Sequence, residues 1–133
     1  MITEDYVSFD TAKLLKKKGF SEATSGLYDC GNGRMSFMVD INWNDKNDCP
    51  FISAPTLQMA MKWIREQGFY IKVDIDVDYD EDERGTKWYH KPAWDWVVFR
   101  IDERKQMSDD GALYATYEQA AEAAIKWCLE NLI

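Results

Sequence analysis

Four aspartates, Asp74, Asp76, Asp78 and Asp80, occupy every second position of KVDIDVDYD, and Glu81, Asp82 and Glu83 follow at once. In an extended chain alternate residues share a face, so these carboxylates would stand in a row about 7 Å apart. A carboxylate row can attract a basic protein surface, imitate the phosphates of a nucleic-acid backbone, or hold a divalent cation. It can also be a solvated face whose charge keeps a sheet from pairing edge to edge. The spacing resembles the start of an EF-hand loop, and the match then fails. Counted from Asp74, Asp76 or Asp78, the sixth residue is Tyr79, Glu81 or Glu83 where the loop needs Gly. The twelfth is Gly85, Lys87 or Tyr89 where it needs Glu. No metal ligand is assigned.

A second group of chemically suggestive residues follows. Trp88, Tyr89, Trp94 and Trp96 cluster around His90, with Lys87 and Lys91 beside them. Aromatics interleaved with cations can stack bases or sugars. The same residue types also build cores and interfaces, and Pro92 points to an edge or a bulge.

Catalytic signatures are lacking. The single histidine, His90, and the cysteines Cys30, Cys49 and Cys128 show neither zinc-ligand spacing nor support for a Cys–His nucleophile. The glycines of GNG at 31–33 are not followed by a phosphate-binding pattern, and neither GxSxG nor HExxH occurs. With 24 acidic residues a carboxylate pair is always available, yet none is singled out. The chain reads as a non-enzyme without a cofactor.

Composition narrows the class further. The 133 residues suffice for one domain, residues 1–133, and six Trp, seven Tyr and six Phe favour a folded core. A net charge of −8 disfavours direct binding to nucleic acid or to an anionic membrane. No apolar run is long enough to span a bilayer, and MITEDYVSFD lacks a signal peptide's basic start. Three cysteines without CxxC spacing suggest reduced thiols and a cytoplasmic location.

The candidate residues must be positioned by a helix and a strand. Residues 54–67 read as a helix, capped by Ser53 or Ala54 with Pro55 in its first turn and stopped by Gly68. Its apolar arc, Leu57, Met59, Ala60, Met61, Trp63 and Ile64, is wide enough for burial on two sides. The period then changes to two. Phe69, Ile71, Val73, Ile75, Val77 and Tyr79 alternate with polar residues, which predicts one long half-buried strand carrying the aspartates on its outer face.

The flanking segments complete the order. Ser8 caps a helix to about Lys18, whose lysines, Lys13, Lys16, Lys17 and Lys18, suit its C-terminal dipole. Residues 26–42 predict a hairpin turning at Gly31–Gly33, with Met35, Phe37, Val39 and Ile41 on its core face. Residues 42–52 and 104–111 read as polar loops. From Trp94, Val97, Phe99 and Ile101 alternate along another strand, on which Arg100 is the best cation to relieve the aspartate row. Thr116 with Gln119 forms a capping box for a last helix to about Asn131, with Cys128 in its apolar stripe.

Three segments carry a resemblance: MITEDYVSFDTAKLLKKKGF, ISAPTLQMAMKWIREQGFYIKVDI and TYEQAAEAAIKWCLENLI. Together they resemble a group of small uncharacterised proteins encoded by phages, prophages and mobile elements of gut Bacteroides and relatives. The resemblance covers about half of the chain. It implies expression in a bacterial host cytoplasm and no particular activity, and it carries no site residues across.

The expected fold is one α+β domain in the order α-ββ-α-ββ-α, its antiparallel sheet of two hairpins covered on one face by helices. The expected function is a non-catalytic accessory factor that binds a basic host or phage protein through Asp74, Asp76, Asp78 and Asp80. The alternative is a nucleic-acid-related role, through mimicry by the aspartates or stacking on Trp88, Tyr89, Trp94 and Trp96. A third expectation is salt-dependent self-association of the lysine-rich helix end with the acidic face.

Overall fold

Each helix begins where a hydroxyl can take up free backbone N–H groups. The computed structural model describes residues 2–46, 48–109 and 111–133, with the Tyr89 side chain outside the described atoms. Ser8 caps α1 (Phe9–Lys17) by accepting from the Thr11 N–H, and Gly19 follows at φ 97°. Thr116 does the same for α3 (Tyr117–Asn131) through the Gln119 N–H, while the Gln119 side chain accepts from the Ala115 N–H. The start of α2 (Leu57–Glu66) departs from expectation. Its cap is Thr56, which accepts from the Met59 N–H. Ser53 is buried in a strand, and the Pro55 carbonyl accepts from Val7. The N-terminal arm has recruited the residues that local sequence assigned to the helix.

The structure is α+β. Strands β1 (Thr24–Asp29), β2 (Met35–Ile41) and β3 (Phe51–Ser53) form one antiparallel sheet in the order β2-β1-β3. After α2 come β4 (Phe69–Asp76), β5 (Tyr79–Glu81), β6 (Lys87–Tyr89), β7 (Ala93–Arg100) and β8 (Lys105–Ser108). Strands β4, β7 and β8 form a second sheet in the order β4-β7-β8, while β5 and β6 make a separate two-stranded ribbon. The strands therefore divide between two three-stranded sheets and a ribbon. Both stretches read as polar loops contribute strands, β3 and β8. The first of them also buries Trp43, whose indole N–H donates to the Thr24 carbonyl.

Helices α2 and α3 pack on β4 and on each other, α3 also packs on β7, and α1 packs on α3 and β3. One apolar core runs through this arrangement, from Val7, Leu15 and Phe20 through Ile52, Ile64 and Ile71 to Trp96, Ile125 and Leu129. The short residues Ala120, Ala121 and Ala124 on α3 are fully buried, which lets the helix approach the sheet closely. Helix α2 is buried on two sides as expected, although Met59 faces outward.

Two of the three predicted apolar strand faces are only partly covered, and on β7 the chain buries Trp96 and Val98 instead of Val97, Phe99 and Ile101. On β4 Phe69 and Ile71 are buried and Val73 is half-buried, but Ile75 is 50% exposed. The helical cover ends near the contact of Tyr117 with Trp94, whose residue is the cross-strand partner of Ile75. On β2, Phe37 and Val39 were expected in the core and are exposed, because no described helix packs substantially on that edge strand.

Candidate functional site

The expected long strand stops after Asp76, and the chain resumes as β5 at Tyr79. The aspartate row is therefore broken. Asp74 and Asp76 lie on the outer face of β4, Asp78 sits in the link, and Asp80 belongs to the ribbon opposite Trp88. Asp78 is used locally: its carboxylate accepts from the Tyr79 N–H and its carbonyl from the His90 N–H. Asp82 likewise holds the β5–β6 turn, accepting from the N–H groups of Arg84 and Thr86, while Gly85 takes φ 83°.

Tertiary pairing adds acids that spacing did not single out. Asp95 on β7 stands directly opposite Asp74 in the β4–β7 ladder. Directly opposed like charges in a sheet are unfavourable. Asp76, Asp95 and Asp109 also line an open depression of about 340 Å³, together with Gly111, Ala112 and Leu113. Asp95 and Asp109 are the candidates that sequence reasoning missed. Their joining depends on the β4–β7 register and on the path of the chain after β8.

Arg100, expected to relieve the aspartate row, does not reach it. Arg100 pairs with Phe69 at the far end of the ladder and lies over the Phe69 ring at 5.5 Å. Lys72, on the acidic face itself, meets Asp74 at 3.1 Å, and His90 Nε2 meets Asp80 at 3.0 Å. Lys87 lies across from Glu81 with its ammonium 4.6 Å from the centre of the Tyr79 ring. These are exposed contacts that salt screens readily.

The aromatic cluster does not assemble into a platform. Trp96 is 1% exposed and packs against Trp127 in the core, so it presents no face to a base. Alternation explains this placement: Trp96 pairs with Val73 on the helix-covered side of the sheet. Trp94 meets Tyr117 edge-on with ring centres 5.6 Å apart. Trp88 alone of the described three is strongly exposed, on the ribbon; the Tyr89 side chain lies outside the described residues.

The end of β4 and the ribbon also carry exposed apolar side chains, Ile75, Val77, Tyr79 and Trp88. Exposed charged and apolar groups thus lie close together along this stretch, a combination suited to protein contact. Among the described residues no group of three or more His, Cys, Asp or Glu is placed to hold a metal ion. No described helix is long and apolar enough to cross a membrane. Comparison with protein-family models, curated proteins and solved structures finds no match.

Proposed function

We propose that this chain is a non-catalytic protein-binding accessory factor of a phage or mobile element, acting in the cytoplasm of a bacterial host. Its binding surface is the outer face of β4 and β7 together with the β5–β6 ribbon. Asp74, Asp76, Asp95 and Asp80 supply the negative potential, and Val77, Tyr79 and Trp88 supply apolar contact. The partner is a host or phage protein with a basic patch.

The observation that carries this reading is the pairing of Asp74 with Asp95. Lys72 offsets the charge of Asp74, but Asp95 forms no ion pair among the described residues, so a bound Lys or Arg would add attraction at this pair. Mimicry of a nucleic-acid backbone is less well supported, because it calls for a regular row and this one is interrupted after Asp76. The buried position of Trp96 likewise leaves the stacking version without its fourth ring.

The test is capture of binding proteins from host lysate at low and moderate salt, using the tagged chain and its Asp74→Asn, Asp76→Asn, Asp78→Asn, Asp80→Asn variant. A salt-released protein whose recovery falls about tenfold or more with the variant is expected, with unchanged circular dichroism. Equal recovery by both proteins would remove the acidic surface from the mechanism. Recovery of nucleic acid that resists competing protein would replace this reading with the nucleic-acid one.

A further inference from the structure

Strand β2 leaves one side of the molecule with an open sheet edge. In the order β2-β1-β3 it is a terminal strand. Three consecutive apolar residues on it are exposed, Phe37 by 59%, Met38 by 53% and Val39 by 71%. Sheet edges in monomeric proteins are usually blunted by charged residues such as Lys, by Pro, by a bulge or by a covering segment. The strand MSFMVDI contains neither Lys nor Pro, and its bulge and its one charged residue, Asp40, both come after Phe37.

Its backbone direction follows from the hairpin. The Asp29 N–H donates to the Arg34 carbonyl at 3.0 Å, so Arg34 faces β1. By alternation the N–H and C=O groups of Met35 and Phe37 face away from β1, toward open solvent. The register between β1 and β2 shifts only beyond the Gly26↔Phe37 pair, which leaves Met35 to Phe37 regular.

The residues around Phe37 are self-complementary. If a second β2 runs antiparallel with Phe37 opposite Phe37, then Met35 faces Val39, Ser36 faces Met38, and Arg34 faces Asp40. Arg34 and Asp40 are both exposed and, among the described residues, form no ion pair within the chain. The arrangement places one Arg–Asp pair at each end of an apolar centre. It obeys two-fold symmetry, the commonest symmetry of soluble dimers. The Tyr6 ring already packs edge-on against Phe37 at 5.2 Å, so the central contact would gain a second aromatic layer from each copy.

We infer that β2 is a homodimerisation edge: two copies pair antiparallel through it, centred on Phe37, joining two three-stranded sheets into one six-stranded sheet. The bulge after Phe37 shortens the regular ladder and makes the association weak and concentration-dependent. This surface is separate from the acidic face and from the lysine-rich end of α1, and the inference does not depend on the proposed function.

Sedimentation equilibrium over a wide range of protein concentration tests it. The unaltered chain should show a monomer–dimer equilibrium that persists at moderate salt. Phe37→Lys should leave only monomer. Arg34→Asp or Asp40→Arg alone should weaken association about tenfold, because each creates two like-charge contacts across the symmetry axis. The double charge swap, Arg34→Asp with Asp40→Arg, should restore it. Circular dichroism of each variant checks the fold, and these side chains are exposed enough for the fold to survive. A chain that stays monomeric throughout, or a dimer indifferent to all four variants, would overturn the inference.

Discussion

Single residues on α3 show how completely placement decides chemistry. Cys128 is fully buried, and burial pushes its thiol from the usual 9.0 up to about 12. Such a thiol is neither nucleophile nor ligand at neutral pH. In the unfolded chain it ionises near its ordinary value, and in the folded protein only near 12. Its contribution to stability is therefore intact below pH 9 and is lost as pH rises from 9 toward 12. Relative to Cys128→Ala, the native chain should lose stability steadily across that window, read from denaturant melts at several pH values. Alkylation followed by mass spectrometry at pH 8 should label exposed Cys30 quickly and Cys128 only after denaturant is added. Glu122, on the same helix, accepts from both hydroxyls, Ser8 and Thr11, and from the Ser8 N–H. It thereby ties α3 to the start of α1. Burial, with Glu122 adding to it, also raises the Tyr28 phenol, which donates to the Val7 carbonyl at 2.6 Å.

Among elements, β1 and the chain entering α2 approach closely enough to demand a glycine. The Ala54 N–H donates to the Gly26 carbonyl at 2.9 Å. A Cβ added at Gly26 would stand 2.6 Å from the Ala54 carbonyl oxygen, a backbone atom that cannot move without breaking this pairing. Gly26→Ala should therefore cost about 3 kcal/mol, measured as a lowered urea midpoint at unchanged slope. Gly68 serves a different need. It follows α2 at φ 100° with open space around it, and it turns the chain directly into β4. The two glycines look alike in the sequence, and only one is pinned by a neighbouring element.

At the scale of the whole molecule, the charge distribution sets stability against recognition. Asp95 opposes Asp74, so Asp95→Asn should raise stability by up to about 1 kcal/mol at low salt. The gain should fade as salt approaches 1 M, where the screening length is about 3 Å. Thermal melts across a salt series check this, and a loss of stability at every salt concentration would mean that Asp95 has a structural partner. If the acidic face binds a basic protein, the same substitution should weaken that binding while strengthening the fold.

Local periodicity and capping in the chain were enough to read the three helices, the punctuating glycines and the segments of β2, β4 and β7, but not β3, β8 or the break between β4 and β5. Ser8, Thr116, Gly19 and Gly68 act where their chemistry places them. The sequence also carried the α+β class and the acidic character of the β4 segment. Long-range packing set what each face meets. The N-terminal arm moved the α2 cap to Thr56, and the length of helical cover left Ile75 and Val77 in solvent while burying Trp96. Strand register set Asp95 against Asp74 and sent Arg100 to Phe69. Register and cover depend on contacts between residues distant in the chain, and no local pattern encodes them. A period of two tells which side chains share a face, but only packing tells whether that face meets a helix, a second carboxylate or water.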